Sequence, residues 1–494
     1  MNKGPWTTCG VLNFNLHSKN MKRFIPTLRT FSVICLYLLL THTISGQQKP
    51  INYELNFRSI SSTGIHSPFW FHSIDYGATS TDPFSAGLGF AIQKELNKNG
   101  DLIDYAFGVN AQLHNANLSG SKLWLQEAWI QGRLWVFDLT LGMKEQWRGI
   151  SDPRLSSGGF LLSQNSRPMP SITAGIEDFV SIPLSYDLIQ IRGSLSHGWF
   201  VDEIYAPGIM MHHKFLQVRV GAKLPVYAQW GLDHVAQWGG NIEGFSNTDF
   251  SLKNFYSVFL GRSGASGDHE LEQFNAMGNH IISTHVKGGL QLDDWDITVY
   301  WENVMEDGPV RLLPWLSKTK KDGLWGISVQ NSRFRWLKGL TYEYFCSLDQ
   351  GGPWHDRDGV IYGGVDQYFY NYLYLNGWSH FGRTIGTPLI ISPELNPNEL
   401  IEIMYNDVRS HHLGLEGSLE GFEYRLMTTY SQYFMDNKPP AYPNFSWMLE
   451  VSKRFEKLDD LEFTLSLGGD TGIVPGKTSA VRFGIKKTGV LFPR

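Results

Sequence analysis

Three stretches of this 494-residue chain gather the side chains that could do chemistry. The first runs from Asp152-Pro153-Arg154 to Gln164-Asn165-Ser166-Arg167-Pro168-Met169-Pro170. The second holds His212-His213-Lys214 and, further on, Asp233-His234-Val235-Ala236-Gln237-Trp238-Gly239-Gly240. The third covers residues 368–374 and then Asn376-Gly377-Trp378-Ser379-His380-Phe381-Gly382-Arg383. Together they mix Arg, Asn, Gln and His with Trp and Tyr. Planar amides and guanidinium groups bond the hydroxyl edges of a sugar, and aromatic rings stack on its C–H faces, so this mixture suits a polysaccharide. An ordinary polar cap with aromatic girdle residues would share the composition at any single position.

Other chemistries fit less well. His212-His213 and His411-His412 look like metal-ligand pairs, but neighbours on a strand point to opposite faces and cannot easily share one ion. No Cys pairs and no His-Glu-x-x-His accompany them, so no metal and no cofactor are expected. There is no Gly-x-Ser-x-Gly, and no spacing singles out a nucleophile and its base. Asp293-Asp294 read as a solvated turn.

The elements that must position these residues are strands. In Trp135-Val136-Phe137-Asp138-Leu139-Thr140-Leu141-Gly142-Met143-Lys144 every odd position is large and apolar, and from Asp138 every even one is polar, small or charged. Period-two alternation gives a strand with different solvents on its two faces. The pattern returns about eighteen times. Residues 102–114 and 460–470 are clean examples, and 121–131 and 133–145 read as a tight pair around Gly132. Glu127 is a blemish, sharing a face with Leu125 and Trp129. Connections alternate in length: Gly132, 223–225, Asp293, 331–336, 420–421 and 457–460 are short, whereas 59–85, 146–170, 200–212, 235–280, 303–322 and 350–410 are long. This predicts an all-β fold, a transmembrane antiparallel up-and-down barrel of about eighteen strands with short periplasmic turns and long extracellular loops. A soluble sandwich has no reason to put its long loops on one side.

Composition agrees. Aromatic residues make up 14% and charged residues only 18% of the chain, the balance of a girdled barrel. Residues 1–46 read as a secretory signal, with Met21-Lys22-Arg23, the apolar run 31–40 and an exit at Gly46, Met21 being the expected start. Ten apolar residues are too few to span a bilayer, and no other stretch reaches the roughly 18 that a membrane helix needs. The leader carries five Lys or Arg and no acid, so its removal takes the formal charge from −5 to −10. Nucleic acid is therefore not an expected partner. Cys346 then remains alone and reads as a packing residue. Residues 47–494 read as one barrel domain.

The segments Asn165-Ser166-Arg167-Pro168-x-Pro170, His212-His213-Lys214 and His234-x-x-Gln237-Trp238-Gly239-Gly240 resemble the Wzi-type capsule assembly proteins of Gram-negative bacteria. So do residues 372–383 with Gly386-Thr387-Pro388, and Gly469-Asp470-Thr471-Gly472 before the last strand. The resemblance spans most of the mature chain. It implies an outer-membrane barrel that acts as a lectin rather than an enzyme. Its implied partners are capsular or surface polysaccharide, outer-membrane lipid and capsule export components. It also implies an N-terminal helical plug, yet residues 47–85 show no apolar 3.6 period. A loop folded inward, from 235–280 or 350–410, is the alternative filling. The ending Phe492-Pro493-Arg494 departs from the common barrel ending in a terminal aromatic.

The shared rim and the family segments together select Asn165, Arg167, His213, Lys214, His234, Gln237, Trp238 and Arg383 as polysaccharide-binding residues. Asn165 and Gln237 would hydrogen-bond, Arg167, Lys214 and Arg383 would pair with acidic sugars, and Trp238 would stack. The alternative function is a diffusion channel, for which inward Asp104, Asn110, Arg219, Arg425 and Arg482 would line a wet lumen.

Overall fold

The computed structural model describes residues 49–97, 102–202, 204–242, 250–262, 277–306, 312–350, 355–357, 360–362, 367–435, 438–474 and 476–491. The expected leader 1–46 and the ending Phe492-Pro493-Arg494 lie outside these. Eighteen strands pair antiparallel in chain order. They are β1 Ile51–Ser62, β2 Phe84–Lys94, β3 Ile103–Ala116, β4 Gly120–Leu134, β5 Phe137–Met143, β6 Ser171–Ser181, β7 Ile189–Trp199, β8 Ile209–Val220 and β9 Val226–Gly239. The second half is β10 Asn279–Gln291, β11 Trp295–Glu306, β12 Gly323–Asn331, β13 Gly339–Cys346, β14 Asp407–Leu419, β15 Phe422–Met435, β16 Lys438–Phe455, β17 Leu461–Gly472 and β18 Thr478–Val490. β18 returns to β1, with Asn52 opposite Val490 and Ser62 opposite Ala480, so the main sheet has no free edge.

Side-chain burial is inverted relative to a soluble sandwich. On β3 the outward Tyr105, Val109 and Leu113 are exposed while the inward Gln112 and His114 are buried; on β5 Phe137 and Leu139 are exposed while Asp138 and Thr140 are buried. Apolar residues outside and polar ones inside suit a wall set in hydrocarbon, where a closed sheet alone leaves no backbone group unpaired.

Each of the eighteen expected strands has a counterpart, with two local corrections. β4 runs straight through Gly132 to Leu134, and the hairpin turns at Trp135-Val136 instead, with Trp135 at φ +58°. The Glu127 blemish is a β-bulge. Asn110 faces Glu127 and Ala111 faces Leu125, so Gln126 is an extra residue and parity flips there. Leu123 and Leu125 face outward before the bulge; Ile130 faces outward after it, and Trp129 turns in.

The start of β1 and the end of β18 lie on one rim, where the Leu491 N–H donates to the Ile51 carbonyl (2.8 Å). Connections 135–136, 221–225, 292–294 and 420–421 on that rim are short. The long connections 63–83, 144–170, 240–278 and 347–406 leave the opposite, outer rim. Connections 117–119, 436–437 and 473–477 on the outer rim are also short, so the expected alternation of lengths holds for only part of the wall.

The outer connections fill the lumen. The one-turn helix α1 (Phe69–His72) and the segments around Phe160, Phe369 and Trp378 join one apolar cluster with inward Val235, Ile281, Val304, Met427 and Met448. Inward carboxylates of the wall hold this filling by its backbone. Glu302 accepts from the N–H groups of Phe160 (2.9 Å) and Leu161 (3.2 Å). Glu343 accepts from the Ser157 N–H (2.7 Å), the Ser156 hydroxyl (2.6 Å) and the Tyr300 hydroxyl (2.6 Å). Asp470 accepts from the Phe69 N–H (2.9 Å). Inward folding of 350–410 thus matches expectation in its described part. The described helix of 235–280, α2 (Leu252–Leu260), does not plug: it packs on His212 and Trp238, which face away from the lumen.

Removing one of these carboxylates should loosen the filling before the wall. Glu343→Ala strands several buried donors, each worth about 1.5–3 kcal/mol when bonded to a charge. The expected outcome is chymotryptic cleavage after Phe160 in folded, detergent-solubilised protein, with Glu343→Gln intermediate. Cleavage resistance equal to that of the parent would contradict this account.

Candidate functional site

The outer rim carries a cleft of about 700 Å³, counted to its open mouth, walled by several segments distant in sequence. The tight β3–β4 hairpin supplies His114, Lys122 and Trp124 on its inward face, with His114 opposite Lys122. Asp82 fixes this hairpin by accepting from the N–H groups of Leu118 (3.2 Å) and Ser119 (2.8 Å). Connection 144–170 supplies Arg167. A two-residue hairpin, Ser379–His380 against Arg383–Thr384, supplies His380, Phe381 and Arg383. Its turn residues Phe381 (φ +52°) and Gly382 (φ +73°) both lie in the left-handed region, as a type I′ turn requires. This conformation is unusual for a bulky residue. It is fixed in part by Asp202, which accepts from the Phe381 N–H (2.7 Å).

Arg167 is the centre of the cleft. Its guanidinium lies 4.2 Å from the Trp124 ring and 4.6 Å from the Phe381 ring. No carboxylate among the described residues pairs with it. Burial, helped by the nearby Arg383 charge, pulls its pKa down to about 10, which still leaves a full cation at neutral pH. Gly77, at φ +68°, is needed beside it, because a Cβ there would meet Arg167 Cγ at 3.1 Å. The His380 ring donates from Nδ1 to the Arg167 carbonyl (3.1 Å), so Nε2 is left as a buried acceptor with no partner.

Arg383 also reaches the cleft, but each of its three guanidinium nitrogens already donates to the protein. Nε donates to Glu394 (2.8 Å), Nη1 to the His72 carbonyl (2.6 Å) and Nη2 to the Thr79 carbonyl (2.6 Å). It clamps the α1 connection to the 347–406 connection. Asn165 is buried and donates to the Thr384 carbonyl (3.0 Å) and to the Ser392 hydroxyl (3.1 Å). It holds the hairpin that carries Phe381.

The other five expected site residues stand toward the outer-rim ends of β8 and β9 and do not join Arg167 in this cleft. β8 and β9 continue through them as strands, and strand parity then splits them. His213 and Gln237 face the lumen. His213 bonds Asp233 (3.2 Å), and Gln237 donates to the Gly377 carbonyl (2.9 Å). Lys214, His234 and Trp238 face the outside, beneath α2 or beside it: Lys214 donates to the Phe259 carbonyl, and His234 bonds His280 (2.8 Å). Trp238 is fully buried and offers no free face for stacking. Trp124, His114 and Lys122 line the cleft without being among the residues selected from the sequence. Their signal was an inward Trp next to a hairpin turn, where the alternation calls for a polar residue.

His66, His72 and His380 near the cleft all have pKa values below the usual 6.5, chiefly because of burial. A histidine with a lowered folded pKa supports the fold fully above about pH 6.5; the unfolded segment takes up the proton first as pH falls. Amide exchange in 63–83 and 377–384, corrected for its intrinsic pH dependence, is expected to be flat above pH 7 and to accelerate from pH 6.5 to 5. His72→Asn and His380→Asn should flatten that rise.

Comparison with known proteins follows the same lines. The family model for capsule assembly protein Wzi matches residues 79–414. No curated protein matches the sequence. Among solved structures, the Escherichia coli outer membrane protein Wzi, described as involved in group 1 capsule assembly and as a carbohydrate binding β-barrel, is similar with a TM-score of 0.56. It is 14% identical, over 88% of this chain and 85% of that one. Pseudomonas aeruginosa OccK3 (TM-score 0.47, 11% identity, 90% and 96% covered) and OprD (0.44, 8%, 90% and 98%) are also similar.

Proposed function

The chain belongs to the capsule assembly protein Wzi family, and we propose that it holds an acidic capsular or surface polysaccharide in the cleft around Arg167. It is an outer-membrane barrel. The observation that carries the reading is the Arg167 cation, which has no ion-pair partner among the described residues and lies over the Trp124 and Phe381 rings at the outer rim. Stacking occupies the faces of the guanidinium and leaves its N–H edge for a sugar carboxylate. The Trp124 and Phe381 rings offer apolar faces to sugar C–H groups, and Thr79, Ser80 and Lys122 offer polar contacts at the walls. The related Escherichia coli protein, described as carbohydrate binding, supports the same assignment.

The role is retention and assembly of the capsule at the cell surface, with export components as further partners and with removal of residues 1–46 before insertion. The cleft holds a ligand without turning it over. Fully buried Trp70, Phe160, Tyr368, Phe369 and Trp378 fill the lumen and weigh against the diffusion-channel alternative.

Arg167→Ala and Trp124→Ala should each weaken binding to a uronic-acid polysaccharide roughly tenfold or more, as loss of a charge-assisted contact predicts. The Arg167 contribution should shrink at high salt. Glycan-array binding and capsule retention in cells are the readouts, and parent-like values in both variants would remove this site. In planar bilayers the purified protein should stay silent; steady single-channel conductance would favour the channel.

A further inference from the structure

The outer wall of β7–β10 carries side chains that a lipid-facing surface rarely bears. His197, His212, Lys214, His234, Trp238 and His280 project outward, on the same strand faces as the exposed Leu195 of β7 and Leu216 of β8. Helix α2 covers much of this patch. The Phe255 ring lies 5.7 Å from that of His197 and 5.6 Å from that of His212, and the Phe259 ring lies 5.5 Å from that of His212. Lys214 donates to the Phe259 carbonyl in the last turn of α2, where a helix attracts a cation.

This cover satisfies the patch poorly. Both ring nitrogens of His197 and of His212, and Nε1 of Trp238, are buried without a hydrogen-bond partner. His212 and Trp238 are fully buried. Lys214 has no carboxylate within ion-pair distance among the described residues. Unpaired buried donors are costly, and those present here are the kind that bind an anion. The opposite face of α2 presents Leu252, Tyr256 and Leu260, exposed at i, i+4 and i+8, with Lys253 and Arg262 beside them. That stripe continues the apolar surface of the barrel, so the cover itself faces the membrane and its headgroups.

We propose that this outward patch is a binding site for the phosphate of an outer-leaflet glycolipid, with α2 as its displaceable cover. Lys214 exchanges the Phe259 carbonyl for a phosphate oxygen. The His212 and His197 rings and the Trp238 indole donate their unpaired N–H groups to the same headgroup, and the acyl chains run down the wall over Leu195 and Leu216. The site is separate from the Arg167 cleft, since none of its residues line that cleft.

The test uses the full chain folded in detergent micelles. Its probes are bisphosphorylated lipid A and the same lipid stripped of its phosphates. Native mass spectrometry counts retained lipid, and amide exchange follows residues 250–262. Lipid A should be retained roughly tenfold better than its phosphate-free form, and it should speed exchange in 250–262. Lys214→Met should abolish both effects and Lys214→Arg should keep them. His212→Phe, which fills the same space without ring nitrogens, should weaken retention while the barrel stays folded. Equal retention of the two lipids, or parent-like behaviour of both Lys214→Met and His212→Phe, overturns the proposal. Glycan binding at the Arg167 cleft should be unchanged in these variants, so the two sites fail independently.

Discussion

Irregular chain placed inside a barrel must find partners for its backbone, because no helix or sheet supplies them there. This constraint governs the molecule. The wall answers it with inward carboxylates aimed at N–H groups: Glu302 for Phe160 and Leu161, Glu343 for Ser157, and Asp470 for Phe69. Inward cations take the opposite ends of the same segments. Lys287 donates to the Ile150 carbonyl (2.8 Å) and Arg482 to the Phe71 carbonyl (3.1 Å). Some polar residues that would line a wet channel hold the filling instead. Arg482, one of the residues that made a channel plausible, is a clear case.

The cleft at the outer rim is a consequence of that filling. Trp124 belongs to the wall, whereas Arg167 and Phe381 belong to connections folded over and into the lumen. They meet because Arg383 ties the α1 connection to the hairpin bearing Phe381, and because Asn165 ties the Arg167 segment to the same hairpin. Each clamp uses charged or multiple hydrogen bonds in a buried setting, where they are strong and where losing one partner is costly. The buried polar network fixes where the aromatic rings stand, and Arg167 is left without a counter-ion between them.

The same wall treats its two faces differently around β8 and β9. Inward His213 and Gln237 are satisfied by Asp233 and the Gly377 carbonyl. Outward His212 and Trp238 are covered by Phe255 and Phe259 and are left unpaired. The helix laid on the outside of the barrel therefore covers His212 and Trp238 without bonding them, while it accepts from Lys214.

Period-two alternation determined the strand number and, away from the bulge in β4, the direction in which most strand side chains face, because lipid and lumen sort residues one by one along a strand. Even Glu127, which broke the pattern, marked a real bulge. The expected shared rim together with the family segments also singled out Arg167, as a charge for acidic sugars. The partners of Arg167 were not legible, since Trp124 and Phe381 lie far apart in the chain and only the packed connections bring them together. Nor was the fate of His213 and Lys214, adjacent in sequence and both plausible sugar contacts. Where a strand ends, which loop folds inward and which helix lies outside depend on long-range contacts that carry no local period, and those alone decided which polar residues remain free to meet a ligand.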